Sequence, residues 1–233
     1  SMMAVPFRRS GETVRMTEND PVSTIVFFDG NPEAVAVHRS TVVADDRGER
    51  SLTMVFSGGN KAYATDADGF DTAELSTITV NATEYRTSES MPSVLPPSST
   101  FTYCVELSAD NLDRVRFEKP VVVYADNFLG FDPGEPVPAG FYDRDKGMWI
   151  SSENGVVVQL LDTNENGVVD SLDADGDGAA DDLDGDGDFF DEAAGLDNSE
   201  NYAPGSTFWR IPVSHFTPWD FNWCSLAALR EMY

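Results

Sequence analysis

The residues best suited to chemistry sit in two places. From Asp162 to Glu192 the chain reads DTNENGVVDSLDADGDGAADDLDGDGDFFDE, with thirteen Asp or Glu residues and no Lys or Arg. Near the end, PVSHFTPWDFNW (212–223) carries His215-Phe216-Thr217, a His–apolar–hydroxyl triplet closing an apolar β run. Clustered oxygens are what a hard cation needs. A His two residues from a hydroxyl is what proton abstraction from that hydroxyl needs.

The acids recur with a period of 11. Asp162, Asp173 and Asp184 are in phase, as are Asn164, Asp175 and Asp186, and Asn166, Asp177 and Asp188. Asp170, Asp181 and Glu192 follow the same spacing. A calcium loop takes side-chain oxygens from places 1, 3, 5 and 9, a backbone carbonyl from place 7, an acid from place 12, and a Gly at the sixth place for the turn. Asp162, Asn164, Asn166, Val168 (carbonyl), Asp170 and Asp173 fit, with Gly167 at the turn. Asp173, Asp175, Asp177, Ala179 (carbonyl), Asp181 and Asp184 fit next, with Gly178 at the turn. A third loop started at Asp184 keeps Asp186, Asp188 and Glu192, but puts Phe189 at the turn and Gly195 at the closing place. Two good Ca2+ sites and one poor one are expected. A solvated acidic linker is the plain alternative. It gives no reason for Asn and Gly to hold an 11-residue phase. Two unit charges about 4 Å apart repel by about 1 kcal/mol even in water, so without cations the segment should expand.

This pattern resembles thrombospondin type 3 and dockerin-like calcium repeats. The likeness covers only this segment and lacks the cysteines of the thrombospondin version. It therefore implies the metal chemistry alone.

The triplet resembles the self-cleavage sites of ZU5 domains and of the GAIN domain of adhesion receptors. In both, aromatic residues follow, as Trp219 and Trp223 do here. The resemblance implies that His215 takes the proton of Thr217, whose oxygen attacks the Phe216 carbonyl in an N→O acyl shift. Water would then break the chain between Phe216 and Thr217. Pro218 departs from the ZU5 pattern, which has an aromatic there. It restricts Thr217 to extended conformations. The plain alternative is a strand-end His and Thr that hydrogen-bond locally.

Taken as an ordered set, TFTYCVELS, PVVVYADNFLGF (120–131), VPAGFYDRDKGMW (137–149), the Asp repeats and FWRIPVSHFTPWDFNW (208–223) look like a module of bacterial RHS/YD-repeat proteins. That likeness spans roughly residues 40–224. It implies a secreted or cell-surface bacterial protein and a part in presenting or processing the repeat region, with the remainder of a larger parent polypeptide as partner. A non-catalytic structural or adhesion module fits it equally well.

The elements that must hold these residues are strands. STIVFFDG (23–30), AVAVHRSTVV (34–43), SLTMVF (51–56), KAYAT (61–65) and ELSTITVNATEYRT (74–87) are β-branched, alternating or bounded by turn residues. TFTYCVELS, KPVVVYADN, GFYDRDKGMWI, GVVVQLLD and STFWRIPVSHF continue the pattern. A 3.6-residue period is scarce. The expected fold is all-β, an antiparallel β-sandwich with an Asp-rich calcium-binding insert. The insert lies between two strands, which predicts a hairpin excursion tied off by metal. Residues 1–20 read as a flexible tail. The Pro- and Ser-rich MPSVLPPSS (91–99) divides a β-rich part, 21–90, from the sandwich, 91–233.

Composition bounds the rest. The 233 residues carry a formal charge of −26, half of it in the acidic stretch. Such a surface repels nucleic acid and anionic membranes. No apolar run is long enough to span a bilayer, so no membrane insertion is expected, and the chain reads as a monomer. Cys104 and Cys224 leave one disulfide or two buried thiols open. The four Trp residues suit a sandwich core better than a sugar platform. Asn81-Ala82-Thr83 is a glycosylation sequon, and Phe189-Phe190 should pack the insert onto the sandwich.

Overall fold

The computed structural model describes residues 18–96 and 100–221. Cys224, Trp223 and residues 1–17 of the expected tail lie outside them. The strands, in chain order, are β1 (Thr24–Phe27), β2 (Ala36–Arg39), β3 (Val43–Asp45), β4 (Gly48–Arg50), β5 (Leu52–Phe56) and β6 (Ala62–Thr65). β7 (Asp71–Leu75), β8 (Thr77–Tyr85), β9 (Tyr103–Ala109), β10 (Val115–Asp126), β11 (Pro136–Val137) and β12 (Ala139–Asp143) follow. The last are β13 (Met148–Ser151), β14 (Gly155–Leu161), β15 (Ser171–Asp173), β16 (Thr207–His215) and β17 (Pro218–Phe221). The only helical pieces among the described residues are two single 3-10 turns. All paired strands run antiparallel.

One sheet has the order β1-β8-β9-β17-β12-β13. The other runs β11-β14-β16-β10-β5-β2, with β15 beside β14, β6 beside β10 and β7 beside β6. Their facing sides close the main core. The alternation of β10 shows how the sequence builds two faces. Val121, Val123 and Ala125 join the core between the sheets, whereas Tyr124 belongs to a second cluster on the outer face. β16 does the same, with Trp209, Ile211 and Val213 inward and Phe208 outward. Trp209 and Trp219 are fully buried, as core tryptophans should be.

The second cluster is where the acidic insert sits. Val169, Leu172, Ala193, Leu196 and Tyr202 pack on Tyr124, Val158, Leu160 and Phe208. β14 and β16, which bracket the insert, pair directly, so residues 162–206 form a hairpin excursion folded back over its own sheet. Phe189 and Phe190 play no part in this packing and stay 42% and 60% exposed, contrary to expectation. Val169, Leu172, Ala193, Leu196 and Tyr202 do the anchoring.

MPSVLPPSS does not separate two units. β8 pairs with β9 across it, and β5 and β6 pair with β10. Strands from 21–90 therefore run through both sheets and share one core with those from 91–221. The described part of the stretch lies against a small outer cluster, with Met91 beside Tyr85 and Cys104. Asp20, at the end of the expected tail, is fixed through Thr83 and Thr41. Asn81 is buried, and its amide nitrogen donates to the Asp20 and Val22 carbonyls, so the sequon has no free acceptor.

Candidate functional site

The acidic stretch forms three loops that repeat the same hydrogen bonds. In the first, the Gly167 N–H donates to Asp162 Oδ2 (2.7 Å), Val168 N–H to Asn166 Oδ1 (2.8 Å) and Thr163 N–H to Asp170 Oδ1 (2.9 Å). In the second, Gly178 donates to Asp173 Oδ2 (2.9 Å), Ala179 to Asp177 Oδ1 (2.7 Å) and Ala174 to Asp181 Oδ2 (2.7 Å). In the third, Gly187 donates to Asp182 Oδ2 (2.9 Å), Asp188 to Asp186 Oδ1 (2.7 Å) and Leu183 to Glu192 Oε1 (2.7 Å). The opening carboxylate thus cradles the turn, the fifth side chain holds the seventh N–H, and a late carboxylate closes on the second N–H.

Backbone angles repeat as well. The sixth places, Gly167, Gly178 and Gly187, have φ of +86°, +82° and +94°. Only glycine takes such angles without cost. The fourth places are also left-handed. Gly176 and Gly185 fill two of them, and Glu165 (φ +59°) fills the one in the first loop.

The third loop therefore opens at Asp182, not at Asp184. Asp184 stands at its third place and Asp186 at its fifth. Asp188 moves to the seventh, where a backbone carbonyl serves, and its own carboxylate accepts the Phe190 N–H. Gly187 replaces Phe189 as the turn residue. The signal was in the chain, since DADGDG (173–178) and DLDGDG (182–187) share one D-x-D-G-D-G pattern nine residues apart. Strict 11-residue phase hid it, and with it Asp182.

Carboxylate oxygens of Asp173, Asp175 and Asp181 lie within 4.8 Å of one another, as do those of Asp182, Asp184 and Asp186. Oxygens bound to one cation at about 2.3–2.6 Å can be no more than about 5 Å apart, so each trio could hold a metal ion. Asp184 belongs with the third loop rather than closing the second. At its ligand places the first loop offers two carboxylates, Asp162 and Asp170, and two amides, Asn164 and Asn166. Burial pushes Asp170 up, but hydrogen bonds from Thr163 and Ser171 outweigh it and hold its carboxyl below the usual range. Glu192 stands outside the Asp182 trio. Its Oε1 accepts the Leu183 and Asp184 N–H groups and its Oε2 the Arg210 guanidinium (3.0 Å).

The triplet lies elsewhere. β16 ends at His215 in one sheet and β17 begins at Pro218 in the other, so Phe216 and Thr217 are the two-residue crossover between sheets. Phe216 is buried against Phe56 and Phe117. The His215 ring meets Phe141 edge-on at 4.7 Å and lies 5.5 Å from the Trp219 ring. Burial lowers the His215 pKa, and the Asp143 charge opposes this only partly. All three residues line an open cavity of about 460 Å³ walled by the β6–β7 turn, the start of β10 and the β12–β13 hairpin.

The structure does not join His215 to Thr217. The Thr217 hydroxyl donates to the Tyr142 carbonyl at 2.6 Å, and His215 Nδ1 is 3.3 Å from Ser214 Oγ. The crossover has no cis peptide and no left-handed residue.

His38, the other histidine, is fully buried in β2 with Nδ1 3.0 Å from Thr24 Oγ1. No described helix is long and apolar enough to cross a membrane. No family model, curated protein or solved structure matches the chain.

Proposed function

We propose that this chain is a calcium-stapled β-sandwich module of a larger exported protein. The loops opening at Asp162, Asp173 and Asp182 take cations and tie the insert to the outer face of its sheet. The observation that carries this reading is the threefold recurrence of one hydrogen-bond scheme, with carboxylate oxygens converging inside two of the loops. The ligands offered are all oxygen, and no His or Cys lies within the segment, which disfavours zinc. Flexible loops of mixed carboxylate, amide and carbonyl oxygens suit calcium better than the rigid octahedron of magnesium. Extracellular calcium is the setting in which such loops would stay loaded, which favours a secreted or cell-surface place.

Titration calorimetry with Ca2+ and thermal melts with and without chelator test it. Binding heat and a higher melting temperature with Ca2+ are expected. Absence of both rejects the reading.

A second reading, self-cleavage between Phe216 and Thr217, is favoured by the crossover position and by a His215 whose burial disfavours the protonated form, as a base requires. His215 would accept the Thr217 proton. The Thr217 oxygen would bond to the Phe216 carbonyl carbon, His215 would return the proton to the Thr217 nitrogen, and the C–N bond would break to leave an ester and a free Thr217 amine. Water would hydrolyse that ester. The hydroxyl must first leave Tyr142. The intact mass of the purified chain under denaturing conditions decides. A separate 217–233 peptide, lost in Thr217→Ala, supports cleavage, and only the full-length mass rejects it.

A further inference from the structure

We infer that Arg210 competes with the third-loop cation for Glu192, so that this loop is built as an adjustable site, weaker than the second. The inference rests on the reading that the loops bind calcium. In the first two loops the late carboxylate that closes on the second N–H is Asp170 or Asp181, the side chain that occupies the ninth place. In the third loop the ninth place is Phe190 and the same N–H, that of Leu183, is taken by Glu192. Glu192 is two residues further on and one methylene longer. It is the functional counterpart of the two aspartates.

What differs from the second loop is the far oxygen. Asp181 groups with Asp173 and Asp175 in the second loop. Glu192 Oε2 instead meets the Arg210 guanidinium, 3.0 Å away on β16. Both side chains are largely buried, at 14% and 4% exposure for Arg210 and Glu192. A charge-assisted bond in that setting is strong. It holds the far oxygen of the closing carboxylate on the sheet, outside the trio of Asp182, Asp184 and Asp186.

Two further observations favour exchange of that carboxylate. Arg210 Nε is buried with no hydrogen-bond partner, so the pair leaves a donor unsatisfied. A cavity of about 400 Å³ opens beside the pair, lined by Asp184, Asp191, Glu192, Arg210 and Lys119 among others. It leaves open space beside the Glu192 carboxylate, into which Oε2 would turn on leaving Arg210. The cation and the guanidinium then hold the same carboxylate in alternation.

The test is Ca2+ calorimetry on the whole chain, wild type and Arg210→Gln, with Asp182→Asn of each to identify the third-loop transition. Melting temperatures of the calcium-free proteins are measured alongside. Removing Arg210 leaves Glu192 buried without a cation. The calcium-free melting temperature should therefore fall while the Asp182-dependent transition tightens by about tenfold, the scale of one lost hydrogen bond to a charged group. A guanidinium that merely braces the loop would give the opposite, with stability and affinity falling together, and that result overturns the proposal. An Asp182-dependent transition of unchanged affinity in Arg210→Gln overturns it too, as does the absence of any such transition while other sites bind. Absence of all calcium binding overturns the underlying reading as well.

Discussion

The Thr217 hydroxyl occupies a ladder position that Pro218 leaves open. Leu107 N–H donates to the Thr217 carbonyl, so Thr217, Trp219 and Phe221 direct their backbone groups toward β9. Pro218 and Asp220 therefore face β12. Continuing the register Phe141↔Trp219 sets Pro218 opposite Tyr142. A proline has no N–H to give the Tyr142 carbonyl. Thr217 Oγ1 gives the bond instead, at 2.6 Å. The hydroxyl that could act as a nucleophile is thus held in structural use.

Pro218→Ala should return an N–H to that carbonyl and release the hydroxyl. Thr217→Val should then cost less stability in the Pro218→Ala background than in the parent, with a coupling of about 1 kcal/mol by urea unfolding. If the chain cleaves itself, Pro218→Ala should also cleave faster, read as intact mass against time. Equal Thr217→Val costs in the two backgrounds would show that Thr217 does not stand in for the missing donor.

The register of the third loop gives a second prediction. Asp182→Asn should remove one calcium-binding transition, as Asp173→Asn should remove another. Asp188→Asn should leave the number of transitions intact, because the seventh place serves through its carbonyl. Calorimetric stoichiometry decides, and loss of a site in Asp188→Asn would restore the register that starts at Asp184.

Glu165 supplies a third. It is the one non-glycine at the left-handed fourth place of the loops. For an L-residue that conformation costs about 1–2 kcal/mol, part of which glycine gives back through its freer unfolded chain. Glu165→Gly should therefore stabilise the protein by up to about 1 kcal/mol. It also removes one charge from the acidic stretch. Chemical denaturation checks this, and Glu165→Ala, which removes the charge but keeps the Cβ, separates the two effects.

The fold was largely legible in the chain, and the reason is local. Alternating Ile, Val and Thr in 74–87 face a core on one side of a sheet, and period 2 records that directly, while the short apolar runs in 51–56 and 119–127 are covered on both faces. The loops were legible because ligand spacing is set within a dozen residues. What escaped notice depends on partners far away. Thr217 bonds to a residue 75 positions distant, and the need for that bond arises only when Pro218 is paired. The supposed division at 91–99 failed because a Pro-rich run looks the same whether it links two domains or, as here, lies between two paired strands of one sheet. Glu192 kept its 11-residue phase yet closes a loop that opens at Asp182. Nothing within the segment announces Arg210.

The two histidines give the last prediction, a loss of stability under mild acid. Burial lowers the pKa of His38, with the nearby Asp20 charge opposing, and burial likewise lowers that of His215, with Asp143 opposing. In the unfolded chain both titrate near the ordinary value of about 6.5. As pH falls below that value, the unfolded chain binds protons that the folded protein resists, so ΔG of unfolding decreases until the folded-state pKa values are passed. The contribution is fully present above about pH 6.5 and is lost on acidification. His38 should dominate, because its Nε2 is buried without a partner and protonation would place an unpaired donor and charge in the core. Urea unfolding in chelator at about pH 7 and about pH 5.5 should show a clear drop for the wild type. His38→Gln, which cannot titrate, should show a smaller one. A drop of the same size in both proteins would assign the acid sensitivity to other groups.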